Sequence, residues 1–489
     1  MCNLPYHIGC YSPLGPNILI WMYPPLGVNI KELYYYKYMA SLDIGITHLI
    51  FTSPIFNKAK NIMSSFPAFY KSINEDEDEE AYSDRMRMAL MASLVATSSN
   101  SSRDYIDRGR EAGHRLLMDD YWNPNPTYNA RIFRRRYRMQ PALFDRIMKD
   151  VMAFDPYFVS TIDAANKVSL SPNQKLTSAI FMLANGCSAD SLDQLCRLSE
   201  TTTLLCMKKF CRAVISVYGS WYLRTPNPGD LHRLLEKASK RGFPGMIGSI
   251  DCMHWEWKNC PTSWAGQYTG YKRKPTIVLE AVASYDTHMW HAFFGTAGSN
   301  NDLNTLASSP VFDAVVNGSA PQVQFRVDGK LYNQCYYLAD GIYPSWGTFV
   351  KTISHPDTPK KKLFASMQEA FRKDVERAFG ILQARWAIVR GPARLHDIRT
   401  LGDIMLACII LHNMIVEDEY EENDEEPTQQ DYREDYDYIG GIVELDLNHD
   451  GPTLSQYMMR HNRIRDSSVH TSLKSDLINH LWMHHGNGM

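Results

Sequence analysis

The sequence predicts a mixed α/β protein, a sheet covered by helices and preceded by an all-α segment with a helix-turn-helix outline. Two observations carry this. Apolar residues recur at helical spacing from about residue 105 to 240, and from Gly245 the pattern changes to short apolar runs of strand length. After that change the order is strand, hairpin, helix, strand, long helix, which suits a mixed sheet with helices packed on it.

The helical segment contains one well-specified helix. Ser171 caps it, Pro172 takes the first position, Leu176, Ala179, Ile180 and Leu183 follow one face, and Gly186 ends it. A second helix is expected over residues 188–198. After a break at Ser199, a third runs to Gly219 with Leu205, Cys206, Phe210, Val214 and Val217 as its buried stripe. In a helix-turn-helix, Thr201, Thr202 and Thr203 would face DNA, and Lys208, Lys209 and Arg212 would meet phosphates. Upstream, Arg134, Arg135 and Arg136 alternate with aromatics and offer guanidinium forks suited to phosphate. A helical bundle with a solvated basic face accounts for the same residues.

In the second half, residues 246–250 form an apolar run that stops at Asp251. Residues 276–285 and 288–294 form a hairpin around Asp286-Thr287, and a short helix follows near residues 303–307. Residues 335–339 give a further strand that stops at Asp340, and residues 365–386 read as a long helix. Lys272, Arg273 and Lys274, just ahead of the second strand, could hold a nucleic-acid backbone or simply be a solvated loop.

Composition bounds the class. The chain has 489 residues, 44% hydrophobic and 21% charged, which suits a soluble protein of two or three domains and excludes a wholly disordered or fibrous one. Pro24, Pro25, Asp43 and Pro54 interrupt the apolar N-terminus, so no membrane span is expected, and no cleavable leader is evident. The net charge is −3, but acidic residues concentrate in residues 75–80 and 417–437, and the rest carries +14. Such a basic remainder suits a polyanionic partner. The 10 cysteines include no CxxC pair and read as free thiols in a reducing compartment, cytosol or nucleus.

Two strands that stop at an aspartate put carboxylates where open α/β sheets carry their sites. Val375, Phe379 and Leu382 mark the buried stripe of the long helix, so Glu376 flanks the face that meets the sheet. Converging carboxylates repel unless cations neutralise them, and hard oxygen donors without His or Cys at metal spacing favour Mg²⁺ or Mn²⁺. Two such ions ~3.5–4 Å apart support phosphodiester hydrolysis. The plainer alternatives are that Asp251 and Asp340 cap turns and that Glu376 pairs with Arg372 one helical turn before it. Asp302 is the rival for the second carboxylate, although at an apparent helix start it reads more simply as an N-cap or first-turn residue. His254 falls on the strand face opposite Asp251 and reads as structural.

The stretches 248–255, 275–285, 290–294, 298–302, 337–344, 372–380 and 411–419 resemble the DDE superfamily nuclease domain of PIF/Harbinger transposases and their derivatives, particularly plant members. Ile250-Asp251-Cys252-Met253-His254-Trp255, Leu338-Ala339-Asp340-Gly341 and Asp374-Val375-Glu376-Arg377 carry most of it. Cys252-Met253-His254 departs from the Gly-Thr-His common outside plants. The resemblance implies an RNase H-like fold in which Asp251, Asp340 and Glu376 bind the metals of a DNA endonuclease. It further implies a nuclear protein of transposase origin, often guided to DNA by a separate Myb-like protein; self-association stays open. A domesticated, non-catalytic DNA- or chromatin-binding protein is the alternative. The expected organisation is an extension and linker over 1–104, a helical domain over 105–240, the nuclease domain over 241–419, and an acidic linker with a C-terminal helix over 420–489.

Overall fold

A computed structural model describes residues 106–423 and 454–485, apart from 163, 165 and 322. The N-terminal extension with its acidic run, and most of the second acidic tract, lie outside the described residues.

The first half is helical: α1 (Arg110–Tyr121), α2 (Ala130–Tyr137), α3 (Pro141–Phe154), α4 (Pro172–Asn185), α5 (Glu200–Tyr222) and α6 (Pro228–Lys240). The capping chemistry read from the sequence is realised at α4. The Ser171 hydroxyl accepts from the Gln174 N–H, and the Gln174 side chain returns the bond to the Ser171 N–H, closing a capping box. Gly186 ends α4 at φ 60°, where a Cβ would meet the Ala387 carbonyl oxygen at 3.0 Å. Ser199 likewise caps α5. Between them the expected helix over 188–198 is reduced to a 3₁₀ turn (Asp190–Leu192) and one helical turn (Asp193–Cys196). Arg197, in the left-handed region at φ 58°, stops propagation there. Thr203 is buried, so only Thr201 and Thr202 are open at the start of α5.

The second half holds a five-stranded sheet of β1 (Met246–Glu256), β2 (Thr276–Ala283), β3 (Met289–Ala297), β4 (Tyr336–Ala339) and β5 (Phe349–Lys351), in the order β3-β2-β1-β4-β5. β1 is antiparallel to β2 and β2 to β3, whereas β1–β4 and β4–β5 are parallel. One of the two aspartate-terminated strands ends differently from expectation. Asp340 does follow β4, but β1 does not stop at Asp251. It continues to Glu256, because β2 keeps pairing with it as far as Glu256↔Thr276 after its pairing with β4 has ended at Ser249. Asp251 therefore stands where the parallel pairing gives way to an antiparallel arm of β1, β2 and β3.

Alternation assigns the faces. Asp251 pairs with Ala281 on one face, and Ile250 pairs with Val282 on the other. The first face meets α8 (Pro359–Arg385), whose Val375, Ala378, Phe379 and Leu382 pack in one cluster with Leu279, Ala281 and Ala283. The second face buries Ile250, Val282 and Ala339 against Leu306 of α7 (Asp302–Ser308) and against Tyr343 and Phe349. The first-half helices share the α8-side core, since Phe144, Ile180 and Phe210 belong to the same cluster as Leu382.

α9 (Ile398–Asn423) is long and apolar enough to cross a membrane, yet Leu401, Ile404, Met405 and the side chains from 407 to 415 are buried within the protein. It is a core helix. His412 and Asn413 interrupt its apolar run for a structural reason. The Asn413 side-chain oxygen accepts from the Met289 N–H (2.9 Å), and its amide donates to the Met289 carbonyl (2.8 Å) and the Tyr222 carbonyl (3.1 Å). His412 is buried, and burial with Arg385 beside it pushes its pKa down to about 3. The neutral ring donates from Nε2 to the Thr287 carbonyl (2.9 Å) and accepts at Nδ1 from Arg385 (3.1 Å). Asn413→Ala should therefore strand a buried N–H and two carbonyls, lowering unfolding free energy by roughly 2–4 kcal/mol in urea titration. An unchanged midpoint would show that these bonds contribute nothing.

α10 (Leu454–Ile464) and α11 (Ser467–His485) complete the described chain. Leu473, Leu477 and Leu481 of α11 pack with Phe364 of α8 and Leu338 of β4.

Candidate active site

The sheet brings Asp251 and Glu376 together through a shared arginine. One guanidinium nitrogen of Arg372 lies 2.7 Å from Glu376 Oε1 and 3.5 Å from Asp251 Oδ2, so the two carboxylate oxygens are within about 6 Å of each other. The helical pairing of Arg372 with Glu376, one turn apart, thus coexists with the approach of Glu376 to the strand aspartate.

Burial is the main influence on Asp251 and pushes its carboxyl up to about 6. The Cys252 N–H and Arg372 hold it down, while Asp302 and Glu376 push it further up. Asp302 connects this pair to the next strand. It lies in the first turn of α7, but Asn301, not Asp302, is the cap, accepting from the Asn304 N–H. Burial raises the Asp302 carboxyl above the ordinary range; a hydrogen bond from Cys252 lowers it, and the charges of Asp340 and Glu280 raise it again. Asp340 itself is exposed at the end of β4, its Oδ1 accepting from the Gly341 N–H.

One member of this group escaped the sequence reading. Asp302 stands in the first turn of α7, one of the positions its sequence signal offered. Glu280 carried no such signal, because a glutamate inside an apolar strand has no spacing to mark it. Its side chain is fully buried on β2 opposite Cys252, and neither carboxylate oxygen has a hydrogen-bond partner. His291 Nε2 stands 3.5 Å away, engaged at 3.1 Å with the Ser309 hydroxyl.

Among the described residues, no group of three or more His, Cys, Asp or Glu side chains is gathered closely enough to hold a metal ion as it stands. The donor chemistry nonetheless fits a hard divalent cation. Asp251, Asp302, Asp340 and Glu376 are all oxygen donors, while Glu280, paired with Cys252, lies on the sheet face opposite Asp251 with no hydrogen bond to its carboxylate oxygens.

The cations expected to meet DNA divide into two sets. On α2 and α5 most are fastened within the protein. Arg134 binds Glu419 (2.6 Å), which also binds Arg385 (2.6 Å). Arg136 bonds the Tyr121 hydroxyl and lies 4.0 Å from the Tyr128 ring centre. Lys209 binds Asp155 (2.7 Å), and Arg212 binds Asp403 (3.1 Å). Arg135 is exposed and Lys208 half-buried. In the loop before β2, Lys272, Arg273 and Lys274 are exposed beside Tyr271, with Lys274 near Glu256 (3.2 Å). A consequence is measurable. If α5 meets DNA, Lys208→Ala should flatten the dependence of log affinity on log salt by up to about one unit. Lys209→Ala should instead lower stability, because Lys209 holds Asp155. Equal slopes in wild type and Lys208→Ala would remove α5 from the interface.

A strand aspartate and a helix glutamate brought together on a mixed sheet define a class, α/β proteins with acidic residues where the sheet meets its covering helix. Residues 220–423 match the family model described as plant transposon protein, and residues 113–152 match one described only as a domain of unknown function. Through these matches the chain resembles PIF/Harbinger transposon-derived nucleases, above all over residues 220–423. It is 23% identical to the ALP1-like protein of Arabidopsis thaliana over 63% of this chain and 76% of that protein. It is 21% identical to HARBI1 of Bos taurus, named as a candidate nuclease, over 56% and 76% of the two chains. It is also 21% identical to Antagonist of Like Heterochromatin Protein 1 of Arabidopsis thaliana, over 61% and 78%. No solved structure matches.

Proposed function

We propose that the chain is a divalent-metal-dependent DNA endonuclease of transposase origin, with an RNase H-like nuclease domain over 241–419 and a helical DNA-associating domain over 105–240. The observation that carries the reading is the approach of Asp251 and Glu376 to within about 6 Å, with Asp302 linking them electrostatically to Asp340. Asp251 and Asp340 would hold Mg²⁺ or Mn²⁺ jointly, and Glu376 would complete a second position. Bound there, the cations supply a nucleophilic water and charge relief for the leaving oxygen. The chain's own residues position the acids: α8 presents Glu376, and the limit of β1–β4 pairing frees Asp251. Lys272, Arg273 and Lys274 would hold the phosphate backbone along the β1–β2 arm. A nuclear location and a Myb-like partner that supplies site recognition complete the proposal.

One observation favours a second reading, a non-catalytic DNA- or chromatin-binding protein. Arg372 already pairs with both Asp251 and Glu376, and one relative is named for antagonism of a heterochromatin protein. Incubation of purified protein with supercoiled plasmid in Mg²⁺, Mn²⁺ or EDTA separates the two. Nicking or linearisation that EDTA abolishes supports the nuclease. DNA binding without cleavage in either metal supports the second reading.

A further inference from the structure

We infer that Arg372 is a built-in counter-ion of the acidic site, holding Asp251 and Glu376 closed and giving way when a divalent cation binds. The inference rests on the nuclease reading and goes beyond it, because it assigns a role to a residue outside the carboxylate set.

The geometry is specific. A single guanidinium nitrogen stands between a β1 carboxylate and an α8 carboxylate, at 3.5 and 2.7 Å. The Arg372 and Asp251 side chains are 16% and 19% exposed, so this contact is largely shielded from water, whereas Glu376 reaches in from a more open position. Asp302, with its own charge bearing on Asp251, lies next to the same group. A cation is needed to hold such acids together, and the Arg372 guanidinium provides one.

A divalent ion and the guanidinium therefore compete for the same oxygens. Exchange needs only a side-chain rotation of Arg372, since its backbone is fixed in the middle of α8. Metal binding must break the two contacts, so the arginine lowers metal affinity in the free protein. The released guanidinium, a planar donor suited to phosphate, would then be available beside the metal site.

Mn²⁺ binding by the full-length protein, read by calorimetry without DNA, tests this. Arg372→Gln should bind Mn²⁺ roughly tenfold more tightly than wild type, the scale of one coupled site. It should also melt lower in EDTA and gain more from Mn²⁺, because its acids then lack any counter-ion. Arg372→Lys, which keeps the charge but cannot fork, covers the case in which the glutamine variant does not fold, and its affinity should fall between the two. Arg377→Gln controls for long-range charge; Arg377 sits on the same helix and pairs with Asp374 at 3.0 Å.

Equal tightening by Arg377→Gln would overturn the switch, as would unchanged or weaker binding in Arg372→Gln. Asp251→Asn separates the two levels. If wild type binds Mn²⁺ and Asp251→Asn does not, the metal site stands whatever Arg372 does. If neither wild type nor Arg372→Gln binds the ion, the metal reading and the switch fall together.

Discussion

Asp340→Asn is expected to cut metal-dependent plasmid cleavage by roughly 10³-fold while DNA binding is retained, since a metal ligand contributes several kcal/mol of charge stabilisation and each 1.4 kcal/mol is tenfold. The substitution isolates charge. Asp340 is exposed after β4, and its one recorded bond, from the Gly341 N–H to Oδ1, is one that an asparagine oxygen can still accept. The fold has no reason to suffer. Removing an acid from a surface that meets phosphate can only ease approach, so affinity in a gel shift should hold or rise. Asp302→Asn is the necessary companion, because Asp302 interacts with both Asp251 and Asp340. If Asp302→Asn destroys cleavage and Asp340→Asn leaves it intact, the second ligand is Asp302 and the assignment to Asp340 is wrong.

What the sequence made legible followed local chemistry. Ser171 and Gln174 can only serve as a capping box if a helix starts there, and Ser199 announced α5 in the same way. The strand at 336–339 and its terminal Asp340 were readable because β4 really does end there. The failures involve partners far away in sequence. β1 overran Asp251 because β2 supplies pairing as far as Glu256, which no pattern within β1 encodes. The three-residue β5 was too short to leave a period. The role of His412 and Asn413, ties from α9 to the hairpin turn and to β3, likewise depends on partners more than 100 residues away. The basic residues of α2 and α5 looked free because Glu419, Asp155 and Asp403, which bind them, are at least about 50 residues distant. Glu280 was invisible for the converse reason: its significance lies in the lack of a hydrogen-bond partner, which only packing reveals.

Stability and metal response should run in opposite directions with pH, and Asp251 sets the window. Burial holds its folded-state pKa at about 6, above the roughly 3.9 of an unfolded aspartate. The folded protein then binds the proton more tightly than the unfolded chain. In EDTA, the contribution of this residue to stability is therefore greatest below about pH 4 and is lost as pH rises through about 6. A divalent cation requires the ionised carboxylate, so it competes with that proton. The rise in melting temperature on adding Mn²⁺ should be small at pH 5 and reach its full value near pH 7, and cleavage should climb over the same interval by up to tenfold per pH unit. Asp251→Asn should remove both trends: its EDTA stability loses this component of pH dependence, and Mn²⁺ no longer raises its melting temperature. Thermal unfolding of the two proteins at pH 5, 6 and 7, with and without Mn²⁺, decides the matter. An equal Mn²⁺ effect at pH 5 and pH 7 in wild type would mean that the ion is held by groups already ionised at pH 5, and Asp251 would lose its place as a ligand.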